Sequence, residues 1–388
     1  MRSFEKTVLL TGGTGFMGSF LAAELIKAGT YVVFLARDGR DKSAADRVSE
    51  VLRWHGQSDE SCYRVLSGDL TQPQFGLSAA SYEQLAQECT EIWHVASETT
   101  FSEKRRELLE RVNIQGTRRI LEFAVDSHAE MINYVSSCYS VGKVVGDCDE
   151  QLIPQTEFNN PYEETKHKAE TLLTETCLHL GLPYLIYRPS IIAGHSVTGR
   201  TLIFNGLYYP LRMLDYFGQK ILSDWADGGE NARQLGARVT DNGRVELPVR
   251  LPTERNGRSG INVVPIDYVT DACLRIRALG EPGNVYHLVG DAPMDTAELS
   301  IAVRNVLKLD AVEFSSADSA DDEPRNLVEK QFRSRIQIYL PYMGDLRDFS
   351  SKRTSEVMGG VRPPQADLAY LERCLTYALD NKWSTPFK

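Results

Sequence analysis

The 388-residue chain lacks several features that would place it in a specialised class. No stretch approaches the roughly 18 uninterrupted apolar residues that a membrane-spanning helix needs, so no span is expected. Residues 1–6 carry charge and lead directly into an apolar strand pattern, which is not the pattern of a secretory signal. From these absences we expect a cytoplasmic protein.

The cysteine pattern and the small number of basic residues relative to acidic ones exclude further classes of protein. The seven cysteines are scattered, odd in number and never spaced as Cys-x-x-Cys, which predicts reduced thiols and neither a disulfide framework nor a metal site. Basic residues number 43 against 53 acidic ones, and the net charge of −10 argues against nucleic acid as a partner. A nucleotide cofactor remains compatible with this charge, because its phosphates are bound locally.

The first half of the chain shows an alternation of strand and helix patterns. Strands are predicted at 7–10, 31–35, 63–66, 91–95, 131–135 and 184–187, and helices at 16–28, 104–125 and 162–180. Such alternation predicts an α/β fold with a Rossmann-like, doubly wound parallel sheet that is covered on both faces.

The pattern changes after Gly194, where aromatic-rich and then glycine- and arginine-rich stretches follow. We expect a nucleotide-binding domain at 1–198 with a return segment at about 262–290, and a smaller substrate-binding region at 199–261 and 291–388. Within this later half the patterns predict helices at 266–279, 296–307 and 366–379, a strand at 285–289, and a solvated acidic loop at 316–325.

A glycine-rich segment at 11–18 lies between the first strand and the first helix. Glycines at this junction allow a tight turn and let backbone N–H groups approach a pyrophosphate at the helix N-terminus. An ordinary glycine-rich turn is the alternative, but the strand-to-helix context favours nucleotide binding. We predict cofactor contacts from Gly12, Thr14, Gly15, Phe16, Met17 and Gly18.

The end of the second strand bears on the choice of cofactor. Arg37 stands where an acidic residue would bind the ribose of NAD(H), and an arginine suits the 2′-phosphate of NADP(H). Arg47 is a second candidate phosphate contact, or else a solvated helix residue. Asp38 follows Arg37 directly and weakens the argument, so NADP(H) is preferred over NAD(H) without the latter being excluded.

Three Tyr-x-x-x-Lys pairs are candidates for acid–base chemistry. Tyr162/Lys166 begins a long helical pattern, where positions i and i+4 share a face. Tyr139/Lys143 contains a glycine and is interpreted as loop, and Tyr216/Lys220 shows no helical continuation. We predict that the Lys166 ammonium lowers the pKa of Tyr162 and makes it a proton donor near neutral pH.

Other candidate residues carry less weight. Ser136 and Ser137 follow a predicted strand at the sheet edge where ligands gather, although either could cap a turn. Cys138 is interpreted as packing, and His195 as a loop hydrogen-bonding residue. The aromatic side chains between 204 and 217 are interpreted as core in preference to an acyl tunnel.

The chain resembles the extended short-chain dehydrogenase/reductase superfamily over most of its length, through the motifs described above and several others. Motifs in matching order include Gly68-Asp69-Leu70, His94-Val95-Ala96-Ser97, Asn113 with Gly116-Thr117, Tyr134-Val135-Ser136-Ser137, Tyr187-Arg188-Pro189-Ser190 and the stretch 262–269. Within the superfamily it is most similar to the thioester reductase and fatty acyl-CoA reductase branch, through 68–78, Arg188-Pro189 with Gly194, and Thr198-Gly199-Arg200.

The resemblance implies roles for particular residues. Ser137, Tyr162 and Lys166 would form the catalytic triad, and Lys166 would also bind the nicotinamide ribose. Further cofactor contacts are implied for Asp69, Leu70, Val95, Ala96, Ser97 and Pro189. The chain departs from the branch at Val95-Ala96-Ser97, where Asn-Ala-Ala is frequent, and at Ser190, where glycine is frequent, so the acyl pocket is the least specified part.

The resemblance implies an NADPH-dependent reductase of an acyl thioester, giving an aldehyde and in some cases an alcohol. The thioester would arrive as a coenzyme A ester or on a separate carrier protein, and a homodimer is expected by analogy only. One alternative is a dehydrogenase or reductase of a ketone, sterol or nucleotide sugar. A second alternative is a regulator that binds NADP(H) without turnover.

Overall fold

The computed structural model describes residues 6–154, 156–255, 258–316 and 323–385. Its strands are β1 (Thr7–Thr11), β2 (Tyr31–Ala36), β3 (Tyr63–Ser67), β4 (Glu91–His94), β5 (Met131–Val135), β6 (Gly146–Cys148), β7 (Tyr184–Pro189), β8 (Ile191–Ala193), β9 (Arg238–Val239), β10 (Val245–Arg255), β11 (Arg258–Ser259), β12 (Val263–Pro265), β13 (Asn284–Leu288), β14 (Leu309–Ser316) and β15 (Arg347–Phe349). Most of the predicted loop at 316–325 lies outside the described residues.

The α-helices complete this inventory. They are α1 (Phe16–Lys27), α2 (Ala44–Trp54), α3 (Ala79–Glu88), α4 (Arg106–Leu109), α5 (Gly116–Asp126), α6 (Pro161–Leu180), α7 (Tyr208–Ala226), α8 (Glu230–Gln234), α9 (Ile266–Leu279), α10 (Thr296–Ala302), α11 (Leu327–Ile336), α12 (Leu340–Met343), α13 (Lys352–Val357) and α14 (Leu368–Asp380). No helix in the described part of the chain combines the length and apolar character that crossing a bilayer requires.

A seven-stranded sheet forms the centre of the first of two compact units. The strand order is β13-β7-β5-β4-β1-β2-β3, and every neighbouring pair is parallel. Its central strands are apolar runs buried on both faces, as in β1 and β5, because helices cover both sides of such a sheet. The predicted Rossmann-like fold class is therefore confirmed.

The two units divide the chain differently from the sequence-based boundaries. The first unit comprises Met1–Ser190, Asp267–Leu288 and Phe349–Arg362, and the second comprises Ile191–Ile266, Val289–Asp348 and Pro363–Lys388. Residues 267–288 of the predicted return segment at about 262–290 lie in the first unit. However, residues 349–362 lie in the first unit, whereas the sequence analysis placed all of 291–388 in the other region. The assignment of the second unit to substrate binding stays a prediction.

The second unit has a core of its own. Phe204, Tyr208 and Phe217 are buried in it, together with alternate residues of β10. Strand β10 pairs in parallel with β14 and antiparallel with β9 and β11. The interpretation of the aromatic run as core holds for these three side chains, whereas Tyr216 is 41% exposed.

The predicted helix at 104–125 is present, but its helix type changes along its length. A short 3-10 turn and α4 are followed by a π-helical turn at Glu110–Gln115, and only then does α5 begin. Such turns are frequent at functional sites, and this one places Asn113 in a buried position.

Candidate active site

The glycine-rich loop joins β1 to α1 without room for larger side chains. Gly12 has a φ of +75°, and a Cβ on it would lie 2.6 Å from the backbone nitrogen of Ala96. A Cβ on Gly18 would lie 2.2 Å from the carbonyl oxygen of Gly12. The N-cap residue of α1 is Gly15, which has no side chain that could bond the N–H groups of the first turn. The backbone N–H groups of this first turn are therefore presented in the manner that suits a dinucleotide pyrophosphate.

Arg47 is positioned between the glycine loop and the end of β2. Its guanidinium donates to the carbonyl oxygen of Arg37 at 2.6 Å and to the hydroxyl of Thr14 at 3.3 Å. It is therefore tied to this junction and is not simply a solvated helix residue. Arg37 itself is exposed at the end of β2.

Asp38 makes its own hydrogen bonds close to Arg47, whose charge also acts on it. Its Oδ1 accepts from the backbone N–H of Ala44 at 2.8 Å, and its Oδ2 accepts from the hydroxyl of Ser67 at 2.8 Å. These two hydrogen bonds lower the pKa of Asp38 and keep it ionised in that position. Asp38 is therefore a weaker argument for NAD(H) than its position in the sequence indicates, since both of its oxygens already accept hydrogen bonds.

The remaining predicted cofactor residues follow the carboxyl ends of neighbouring strands. Asp69 and Leu70 follow β3, where the Asp69 carboxylate accepts from the N–H and the hydroxyl of Thr71, both at 2.9 Å. Val95, Ala96 and Ser97 follow β4, and Pro189 ends β7. Ligands of doubly wound sheets bind at this edge, so the placement suits the predicted contacts, which stay a prediction at the level of single residues.

The start of α6 positions Tyr162 and Lys166. Asn160 caps the helix by accepting from the N–H of Glu163 at 3.1 Å, and Pro161 occupies the first turn. Tyr162, Lys166 and Glu170 then follow at intervals of four residues and share one face of the helix. The sequence analysis identified Tyr162 and Lys166 but missed Glu170, which the same four-residue spacing could have indicated.

Ser137 meets Tyr162 at the end of β5. Its hydroxyl caps the turn at Cys138–Val141, accepting from the N–H of Tyr139 at 3.3 Å. It also forms a hydrogen bond with the Tyr162 side chain, which favours the phenolate. Turn capping and contact with the phenol are thus both properties of Ser137.

Burial dominates the electrostatics of Tyr162 and Lys166. It raises the pKa of Tyr162 to about 12, against the opposing effect of Ser137. It lowers the pKa of Lys166 to about 7, against the opposing charge of Glu170. The predicted lowering of the Tyr162 pKa is therefore wrong for this structure, because desolvation of the phenolate outweighs any help from an ammonium that burial itself makes weaker.

Lys166 is held by β5. Its Nζ donates to the carbonyl oxygen of Val135 at 2.7 Å and lies 4.6 Å from the centre of the Tyr134 ring. On the neighbouring strand, burial and the Lys166 charge lower the pKa of His94 to about 3, so its imidazole is neutral. The ammonium of Lys166 is thus almost completely buried, and among the described residues the charge of Glu170 acts on it.

Glu170 forms a buried ion pair that sequence reasoning also missed. Arg188 on β7 donates to Glu170 Oε1 at 2.9 Å and to Oε2 at 2.5 Å, and Ser140 donates to Oε1 at 2.9 Å. Burial would raise the pKa of Glu170, but the charge and hydrogen bonds of Arg188 lower it overall. Arg188 is a charged residue within an otherwise uncharged strand, and this could have indicated a buried ion pair in the sequence.

Asn113 connects the loop after β4 to the start of α6. Its Oδ1 accepts from Ser97 Oγ at 3.0 Å and from the N–H of Glu98 at 2.9 Å. Its Nδ2 donates to Thr165 Oγ1 at 3.0 Å, and Thr165 in turn donates to the carbonyl oxygen of Tyr162. Ser97, where this chain departs from the branch pattern, is therefore part of the bonding that fixes the start of α6.

The two other Tyr-x-x-x-Lys pairs lie elsewhere. Tyr139 belongs to the turn at Cys138–Val141, as its interpretation as loop predicted. Tyr216 and Lys220 lie within α7, so the statement that this pair has no helical continuation is wrong. It belongs to the second unit, where the Lys220 Nζ lies 5.6 Å from the exposed Tyr216 ring.

His195 and Cys138 make the structural contacts that their interpretation in the sequence predicted. His195 Nδ1 accepts from the N–H of Val197 at 3.1 Å within one loop. Cys138 is fully buried behind Ser137, and all seven cysteines are buried.

Comparison with known proteins identifies a family that matches the part of the chain containing this site. The family described as male sterility protein matches residues 10–273, which include the glycine loop, Ser137, Tyr162 and Lys166. The non-canonical nonribosomal peptide synthetase FrzA of Cladobotryum sp is 28% identical over 357 residues, covering 88% of this chain and 30% of the relative. The aldehyde reductase lnbA of Aspergillus flavus is 26% identical, covering 74% and 27%. The chain spans less than a third of the length of these curated relatives.

Solved structures of the same fold include two reductase domains. The terminal R domain from the myxalamid PKS-NRPS biosynthetic pathway has a TM-score of 0.75 at 23% identity, covering 99% of this chain and 93% of that one. A thiolation-reductase di-domain from an archaeal nonribosomal peptide synthetase has a TM-score of 0.71 at 17% identity, covering 97% and 76%. At these identities the likeness shows the fold.

Proposed function

This chain belongs to the male sterility protein family, within the extended short-chain dehydrogenase/reductase superfamily of NAD(P)-dependent oxidoreductases, and from that premise we propose that it reduces an acyl thioester with NADPH. The observation that carries the proposal is the complete Ser137–Tyr162–Lys166 arrangement inside the segment that matches the family. The relatives named as peptide synthetases support a thioester as the substrate, and the printed name aldehyde reductase supports an aldehyde as a product or intermediate.

The side chains of this site have complementary tasks in such a reduction. When bound, the nicotinamide supplies a hydride to the carbonyl carbon of the thioester. Tyr162 is protonated at neutral pH because burial raises its pKa to about 12, so its phenol can give its proton to the developing oxyanion. Ser137 donates a second hydrogen bond to that oxygen, and the cationic form of Lys166 stabilises the phenolate that Tyr162 becomes.

The resulting hemithioacetal then collapses with return of its hydroxyl proton to Tyr162. The carbon–sulfur bond breaks, the thiolate leaves and takes a proton from solvent, and the aldehyde remains. The net reaction consumes one thioester, one NADPH and one proton, and it gives one aldehyde, one thiol and one NADP⁺. A second reduction at the same site would give the alcohol.

The preference for NADPH is supported by Arg37 and Arg47. Arg37 is exposed beside the site, Arg47 is tied to both Arg37 and Thr14, and Asp38 has both oxygens engaged. Two guanidinium groups beside a carboxylate that already accepts two hydrogen bonds suit a 2′-phosphate, which accepts charge-assisted hydrogen bonds.

Arg37→Ala is expected to weaken NADPH binding by about 10- to 100-fold, which corresponds to the loss of one charge-assisted hydrogen bond of about 1.5–3 kcal/mol. NADH, which lacks the phosphate, should bind as it does to the unaltered chain. Titration calorimetry with both cofactors measures the two effects. Arg53→Ala on the exposed face of α2 is the matched control for lost charge, and equal losses for both cofactors would argue against a phosphate contact.

The thioester is proposed to arrive as a coenzyme A ester or on a carrier protein. The test is a panel of acyl-CoA esters and an acylated carrier protein, followed simultaneously for NADPH oxidation and for released thiol. We expect thiol release coupled to NADPH oxidation. Oxidation of the cofactor only with ketones, sterols or nucleotide sugars would support the first alternative, and binding without turnover on every substrate would support a regulator. A homodimer stays a prediction.

A further inference from the structure

Strand β5 gives the Lys166 ammonium two contacts from consecutive residues. The carbonyl oxygen of Val135 accepts a hydrogen bond at 2.7 Å, and the ring of Tyr134 lies 4.6 Å from Nζ. Both Lys166 and Tyr134 are at most 2% exposed. An ammonium over the face of an aromatic ring at this distance is attracted by the negative face of the π system, and the attraction is strongest when water is excluded.

The other groups that face this ammonium give limited help to its charge. His94 on β4 is neutral, and Tyr162 on α6 is protonated at neutral pH. Within the described part of the chain, Glu170 is the anion whose charge acts on Lys166, and its carboxylate is already bound through both oxygens by Arg188. A buried cation in these surroundings needs further stabilisation, because burial without a close counter-ion strongly disfavours the charged form.

We propose that Tyr134 is a positioning residue of the proposed catalytic site, whose ring face holds the Lys166 side chain against β5 and favours its cationic form. The proposal rests on the proposed function and deepens it. It identifies the group that stabilises the cationic form of Lys166, on which the proposed acid–base step depends. It concerns the ring of Tyr134 and not its hydroxyl, so a phenylalanine at this position would serve equally well.

The direct test is the titration of Lys166 itself. Protein labelled with ¹³C at the lysine side-chain carbon next to the nitrogen is titrated by NMR, and Lys166→Met identifies the signal. Tyr134→Phe should titrate at the same midpoint as the unaltered chain, whereas Tyr134→Leu should titrate about one pH unit lower. The sign follows because loss of the ring disfavours the cation, so the proton leaves at lower pH.

A second readout is the pH profile of turnover. The reductase reaction uses cationic Lys166, so the alkaline limb of kcat should move to lower pH in Tyr134→Leu and stay in place in Tyr134→Phe. If Tyr134→Leu does not fold, as judged by thermal melting, Tyr134→Met fills more of the space without a π system and takes its place. The NMR titration needs no substrate, so it still tests the proposal if thioester reduction itself is not found.

Equal Lys166 midpoints in the leucine (or methionine) and phenylalanine variants would overturn the proposal. A lowered midpoint in Tyr134→Phe as well would also overturn it, since the hydroxyl and not the ring would then be responsible.

Discussion

Tyr162→Phe is expected to lower kcat for thioester reduction by about 10²- to 10⁴-fold, the range that loss of a positioned general acid produces. The variant removes one hydroxyl, and the half-buried ring keeps its place against Phe101, whose ring centre lies 5.7 Å away. The affinity for NADPH should therefore change by less than about twofold. Steady-state turnover at saturating cofactor, together with NADPH binding measured by fluorescence, separates these two effects.

The chain offers a matched control for this variant. Tyr216 has the same spacing from Lys220 and also lies on a helix, but it is exposed in the second unit. Tyr216→Phe should keep the turnover of the unaltered chain. If Tyr162→Phe retained full turnover, the assignment of the general acid would be wrong.

Arg188→Met is expected to lower the free energy of unfolding by about 3–5 kcal/mol, because it leaves the Glu170 carboxylate buried without its counter-ion. Both side chains are at most 2% exposed. Arg188 also donates to the carbonyl oxygen of Gln151 at 3.0 Å and lies 3.4 Å from Nε2 of the buried His287, so two further acceptors lose a donor. Equilibrium unfolding in urea measures the difference.

Two comparisons make this stability prediction specific. Replacing both partners, as in Glu170→Met with Arg188→Met, should recover much of the loss, since no unpaired charge then remains. Arg275→Met breaks the exposed pair with Asp271 and should cost less than about 1 kcal/mol. A cost for Arg188→Met no larger than that for Arg275→Met would contradict the buried pair.

The first unit was largely predictable because its strands are short apolar runs and its helices are amphipathic. Helix α6 and the pair Tyr162/Lys166 followed from a spacing that is visible in the sequence. What the spacing could not reveal was burial, and burial reversed the expected direction of the Tyr162 pKa. The π-helical turn that directs Asn113 inward is equally hidden, since it changes the period of the pattern for only one turn.

The second unit was less predictable because prolines and a glycine stand inside its elements. Strand β10 buries Val245, Leu247, Val249 and Leu251 in alternation, but Pro248 and Pro252 interrupt the pattern. Its register with β14 shifts near both prolines, as expected where no backbone N–H can be donated. Gly218 lies inside α7, where a Cβ would come within 2.6 Å of the Leu309 side chain, so close packing explains the glycine at this position.

The most direct test of the central claim follows the hydride. NADPH deuterated at both transferable positions of its nicotinamide is incubated with the chain and an acyl-CoA ester or acylated carrier protein, and the products are analysed by mass spectrometry. Thioester reduction predicts one deuterium on the carbonyl carbon of the aldehyde, or two on the same carbon of an alcohol, with one thiol released for each acyl group reduced. Product aldehyde without deuterium, or cofactor oxidation without released thiol, would contradict it.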